Sequence, residues 1–200
     1  MAGVAIVHDA TLVPSKLEAL KAWLPGQSWF TGDAGDLELV GQFRFVDPDG
    51  DVGLQTMLVT SKGSVYQVPL SYRNGPLGGA EGDLICTMEH SVLGTRWVYD
   101  SLADPVYAAE LLRTIVEADT GASTSSGSEQ TPVKGSGAEG VDLAPGRRRG
   151  DDLIVYGPYT VHVPRHPDDA EPIGALGVLT AGLSLDGADL TLVLAELRSA

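Results

Sequence analysis

The apolar positions of this 200-residue chain change their spacing several times, and each change predicts a different element. Leu17, Leu20, Trp23 and Leu24 recur at intervals of three and four, which gathers them on one helical face. Ser15 is a suitable N-cap after Pro14, and Pro25-Gly26 stops the run, so a short helix is predicted over 15–24. From Leu37 the period falls to two: Leu37, Leu39 and Gly41 alternate with Glu38, Val40 and Gln42 and lead into Phe43 and Phe45, the pattern of a strand. "DPDGD" at 47–51 is a turn, and "VGLQTMLVTS" and "SVYQVPLSYR" read as two more strands joined near Lys62-Gly63. The glycine-rich "NGPLGGAEGD" (74–83) is a loop, and two further strands, broken at Gly94, lie within 84–100. Asp104 caps a second helix with Pro105 at its tolerated first position; Val106, Leu111, Leu112, Ile115 and Val116 form its apolar face, and Gly121 is expected to end it.

Beyond that point the pattern fades. Residues 121–149 are dominated by Gly, Ser and Thr, and predict a mobile linker. Residues 150–200 regain short apolar segments, "DDLIVYG", "YTVHVP", "IGALGVLTAGLSL" and "LTLVLAEL", enough for three or four strands. Some fifty residues make a weak independent core, so this β annex is expected to dock on the first unit, 1–120.

Composition narrows the function classes. A hydrophobic share of 43% with 20% charged residues is that of a folded globular protein. A net charge of −14 disfavours nucleic acid and anionic membranes as partners. The apolar runs are too short for a membrane span, and the first ten residues lack a basic region before an apolar one, so a cytoplasmic location is expected. A single cysteine, Cys86, leaves no internal disulfide and reads as a buried apolar residue.

Motif tests predict no cofactor and no metal. "DPDGD" begins like a calcium loop, but its twelfth position is Leu58 rather than a bidentate Glu. His162 and His166 have helical i, i+4 spacing, yet Pro164 and Pro167 argue against a helix there. Gly75, Gly78, Gly79 and Gly82 lack the order of a phosphate-binding loop. Glu89, His90 and Ser91 are neighbours in sequence, but adjacent strand residues point to opposite faces, so they make no triad.

Three stretches carry a resemblance. "LPGQSWF", "YQVPLSY" and "HSVLGTRWVYDSLADPVYAAELL" together resemble the N-terminal cap domain of actinobacterial maltokinases and related aminosugar kinases, over about residues 14–116. In that family a helix ends in Leu-Pro-x-Gln-Trp-Phe or Tyr, a strand carries Tyr-x-Val/Leu-Pro-Leu, and Val-Tyr-Asp precedes a helix that follows Asp-Pro. The resemblance implies an α+β, cystatin-like fold: a twisted antiparallel sheet wrapped around a helix, here with a second helix and a small C-terminal β annex. "DLIVYGPYTVHVPR" weakly resembles the family strand pair that bears a nucleotide-contacting lysine, but His162, Val163 and Pro164 stand there and no lysine occurs from 135 to 200.

No kinase lobe is read in the chain, so the expectation is a free-standing cap without catalysis of its own. It would bind or regulate within α-glucan, maltose or trehalose metabolism, with a carbohydrate-metabolic enzyme or sugar kinase as its partner. Two alternatives stay open: a saccharide-binding protein or enzyme built on exposed aromatics near His90, and a cap subunit assembling with a separate ATP-dependent catalytic chain. Candidate ligand or partner contacts are Trp29, Phe30, Tyr72, Glu89, His90, Arg96, Trp97 and Tyr99. Aromatics at turns and strands are core anchors first, so each has a packing role as its simplest explanation.

Overall fold

A computed structural model describes residues 3–200. The chain begins with two short strands, β1 (Val4–Ala5) and β2 (Leu12–Val13), followed by helix α1 (Lys16–Trp23). Ser15 caps α1 through a reciprocal pair with Glu18, each side chain accepting from the other's backbone amide. A 3₁₀ turn over Leu24–Gly26 carries proline where no amide hydrogen is needed. Then come β3 (Glu38–Val46), β4 (Gly53–Ser61), β5 (Ser64–Arg73), β6 (Leu84–His90) and β7 (Gly94–Asp100). With β2 they form a curled, six-stranded antiparallel sheet in the order β2-β6-β7-β5-β4-β3.

Helix α2 (Pro105–Val116) follows, capped by Asp104, which accepts from the Val106 amide at 3.0 Å. The same buried carboxylate takes two bonds of 2.7 Å from Arg73, so one side chain starts the helix and ties it to β5. The helix ends before Gly121, the expected stop. It runs out at Val116, and Ala118 takes the left-handed conformation, φ 54°, that turns the chain.

The stretch 121–149, expected as a linker, is laid down as β8 (Ser123–Thr124), β9 (Val133–Gly135) and β10 (Arg147–Arg149). Its strands are joined mainly through main-chain pairing, which needs little apolar side chain. Next come β11 (Leu153–Tyr156), β12 (Tyr159–His162), β13 (Gly177–Leu185) and β14 (Ala188–Ser199). A second six-stranded sheet has the order β10-β11-β12-β14-β13-β9, and β1 pairs in parallel with β8.

The register of the first sheet sorts its residues onto two faces. On the concave face Met57, Val59, Tyr66, Val68, Met88 and Val98 meet Ala19, Leu20 and Leu24 of α1 and its turn. On the convex face Phe43, Phe45, Leu54 and Leu58 share a core with Tyr107, Leu111 and Ile115 of α2 and with Ile154, Val161, Leu179 and Leu197 of the second sheet. Polar links cross this junction. The buried Gln67 of β5 donates to the Pro164 and Leu194 carbonyls at 2.6 and 2.7 Å. The Tyr156 hydroxyl donates to Ala108 O at 2.7 Å.

Candidate functional site

Helix α1 has eight residues, a length of about 12 Å, whereas β5 with ten spans about 33 Å. It therefore covers only part of the concave face. Over the uncovered part the N-terminal segment from Val4 to Leu12 lies as a roof, held by the β1–β8 pair and by Ser125, whose hydroxyl accepts from the Val7 amide at 2.9 Å. Between roof and sheet is a cavity of about 570 Å³, in the range of small-molecule sites.

Its lining follows from strand alternation. Phe43 and Phe45 point into the core between the sheets, so Gln42 and Arg44 fall on the concave side. Gln55, Tyr72, Met88, His90 and Arg96 reach the same side from β4, β5, β6 and β7, and Lys16 enters from the first turn of α1. Gln55 is the hub: its Oε1 accepts from Lys16 Nζ at 2.7 Å, from Arg44 at 3.0 Å and from the Tyr72 hydroxyl at 3.4 Å, while its amide donates to Gln42 Oε1 at 2.6 Å. One neutral carbonyl thus holds two cations.

The electrostatics register that arrangement. Burial, with Arg44 beside it, lowers the Lys16 ammonium from its usual 10.5 to about 8. Burial also lowers the Arg44 guanidinium and raises the Tyr72 phenol. The imidazole of His90 is pushed down, first by desolvation and then by His8, Arg96 and Lys16. His90 Nδ1 accepts from the Val92 and Leu93 amides at 3.2 and 3.1 Å, so the neutral ring carries its proton on Nε2. His8 stands edge-on to it at 5.9 Å between ring centres.

The sequence candidates divide between this cavity and other places. Tyr72, His90 and Arg96 line the cavity. Glu89, one residue from His90, lies on the opposite face and accepts from the Thr95 hydroxyl at 2.7 Å. Trp97 is on that outer face as well, paired in register with Arg73 and Thr87. Tyr99 is buried, and its hydroxyl accepts from the Leu77 amide at 2.9 Å, which fastens the glycine-rich loop. Trp29 and Phe30 pack around Tyr66, with ring centres at 6.5 and 4.9 Å, and Trp23 meets Trp29 edge-on. Arg165 stacks over Trp29 at 4.9 Å, and the Trp29 carbonyl lies 2.8 Å from His166 Nε2. That bend is a joint between the first unit and the C-terminal strands. None of the three tryptophans borders the cavity, so no tryptophan platform stands beside His90.

Lys16 and Arg44 were not singled out by sequence reasoning. A detectable signal existed: Arg44 stands between two phenylalanines in a strand, where period two places it on the face opposite both.

Residues 23–104 match the family model of the maltokinase N-terminal cap domain. This segment is similar to a maltokinase-type cap domain. No curated protein matches the chain. The cap segment contains the curled sheet from β3 to β7 and the aromatic joint, whereas Lys16 and the roof precede it and the second sheet follows it. No helix among the described residues is long and apolar enough to cross a membrane.

Lys16 gives the cavity a measurable pH signature. Its folded pKa lies below its unfolded one, so between about pH 8 and 10.5 the unfolded chain binds the extra proton and stability rises with pH. Lys16→Met should therefore stabilise the protein at pH 7, by about 1–2 kcal/mol after allowing for partial exposure, and the gain should vanish by about pH 10.5. Urea titrations of both proteins across that range check it.

Proposed function

We propose that the protein is a non-catalytic binding or regulatory module associated with α-glucan, maltose or trehalose metabolism, acting on a sugar kinase or another carbohydrate-metabolic enzyme. The observation that carries this reading is the cap-domain match over residues 23–104. The concave cavity supports a binding role: Lys16, Arg44 and Arg96 bring cationic donors to its lining, suited to holding a ligand.

The test has two arms. Immobilised protein is expected to retain a carbohydrate-metabolic enzyme from a lysate of its source. Purified protein is expected to change the rate or KM of a maltose-phosphorylating kinase while turning over no ATP alone. Capture of no such enzyme together with unchanged kinase kinetics would remove the metabolic assignment. ATP-dependent phosphorylation of maltose by the protein alone would remove the non-catalytic one. The saccharide-platform alternative is the less favoured reading, since no tryptophan borders the cavity beside His90.

A further inference from the structure

The cations of the cavity lack the carboxylate partners that five arginines elsewhere in this acidic molecule have. Arg73 is paired with Asp104, Arg113 with Glu110, Glu117 and Asp119, Arg148 with Asp83 and Asp100, Arg165 with Asp100, and Arg198 with Glu196. In the cavity, Lys16 and Arg44 share the neutral Gln55 oxygen. Arg96 donates to the Leu93 carbonyl at 2.5 Å, and its buried Nε has no acceptor among the described residues. Two carboxylates border the space. Both oxygens of Asp47 are engaged by the Asp49, Asp51 and Val52 amides, and Asp51 is exposed. Three like charges gathered in a chain of net charge −14, with no carboxylate bonded to them among the described residues, leave a local positive field directed into a concave space.

We propose that this cavity binds a small molecule bearing a phosphate group, with Lys16, Arg44 and Arg96 as its charged donors and His90 Nε2–H as a neutral one. The proposal rests on the binding role proposed above but not on its metabolic setting. Phosphate is favoured over a carboxylate because three cations and a further donor match a dianion with three acceptor oxygens. The volume exceeds that of the bare ion, and Leu12, Val46, Met88 and Leu93 offer wall for an organic body. The roof makes the space a cavity rather than an open patch, which favours a small ligand over a macromolecule.

The ligand also resolves two features that are otherwise costs. An anion beside Lys16 and His90 offsets the burial and mutual repulsion that lower both pKa values. Binding should tighten as pH falls from about 9 to 7, as Lys16 becomes fully charged, and weaken with added salt. The groups facing Lys16 are Arg44 from β3, Gln55 from β4, Tyr72 from β5 and His90 from β6, so Lys16 carries the titration in that window.

The experiment is a titration of the whole protein with glycerol 3-phosphate, glycerol, pyrophosphate and inorganic phosphate, followed by amide chemical shifts and thermal midpoint. Saturable shifts clustered on β1, β2 and the cavity-facing strands are expected with the phosphates and not with glycerol. Lys16→Gln and Arg96→Gln should each weaken binding about tenfold or more with the fold retained, while Arg96→Lys, which keeps the charge, loses less and the exposed-surface control Arg147→Gln loses nothing. If Lys16→Gln melts early, Arg96→Gln alone decides. Absence of saturable binding by the wild type, shifts centred elsewhere, or equal affinity in Arg96→Gln would overturn the proposal. Failure to capture a carbohydrate enzyme leaves this result intact, and failure here leaves the partner assay standing.

Discussion

Gly135→Ala should lower stability by about 3 kcal/mol, seen as a fall in the urea midpoint with little change in slope. Gly135 belongs to β9, whose amide bonds to Asp119 O at 2.8 Å and whose Cα faces the last turn of α2. A Cβ there would stand 2.0 Å from the Thr114 carbonyl oxygen and 2.9 Å from the Ile115 Cα. Both obstacles are backbone, so no rotamer change relieves them; β9 would have to draw back from the helix. The backbone at Gly135 is not left-handed, so the penalty is one of space alone. Gly182→Ala in neighbouring β13 is the control, because its Cβ meets only Pro132 Cγ at an ordinary 3.5 Å. It should change stability by less than about 0.5 kcal/mol. A silent Gly135→Ala would return the stretch 121–149 to the status of a linker.

Arg165→Met should cost a similar amount, about 3 kcal/mol, for an electrostatic reason. Arg165 and Asp100 are both almost fully buried and meet at 2.5 Å. The guanidinium also donates to Asp151 O at 2.7 Å and stacks on Trp29. Removing it leaves Asp100 as a buried carboxylate whose remaining cation, Arg148, is 3.3 Å away. That second contact keeps the loss at the lower end of what breaking a buried pair costs. The double variant Arg165→Met with Asp100→Asn should recover part of it, since the stranded charge is then gone. Equal loss in single and double variants would mean that packing on Trp29, not charge, is the main contribution.

How far these features were legible depends on which forces made them. The capped helices and the five strands from Glu38 to Asp100 follow from side-chain period and turn residues, and the observed bounds differ from the expected ones by a residue or two except at the end of α2, which stops at Val116 rather than near Gly121. Residues 121–149 gave no such signal. Val133 is buried, but its strand is joined to β13 through main-chain amides and carbonyls, which every sequence possesses. Composition therefore read a strand-bearing segment as a linker. In the site, Tyr72, His90 and Arg96 were picked out for their chemistry. Trp97 was picked out as an aromatic and Glu89 as a neighbour of His90, but successive positions along a strand fall on opposite faces, and both lie outside the cavity. Lys16 resembled any polar residue in the first turn of an amphipathic helix. That its stem would lie under a roof could not be foreseen, because the roof is made by β1 pairing with β8 far along the sequence.

That pairing also orders events during biosynthesis. Ser125 lies 118 residues after Val7, so an emerging chain can form α1 and pair β3 to β7 while the partner of its first strand is still unmade. At ordinary translation rates the interval is roughly 10 s, long compared with the closure of local strands. The charged pocket is thus open on one side throughout the early life of each molecule and acquires its ceiling only when the second half of the chain arrives.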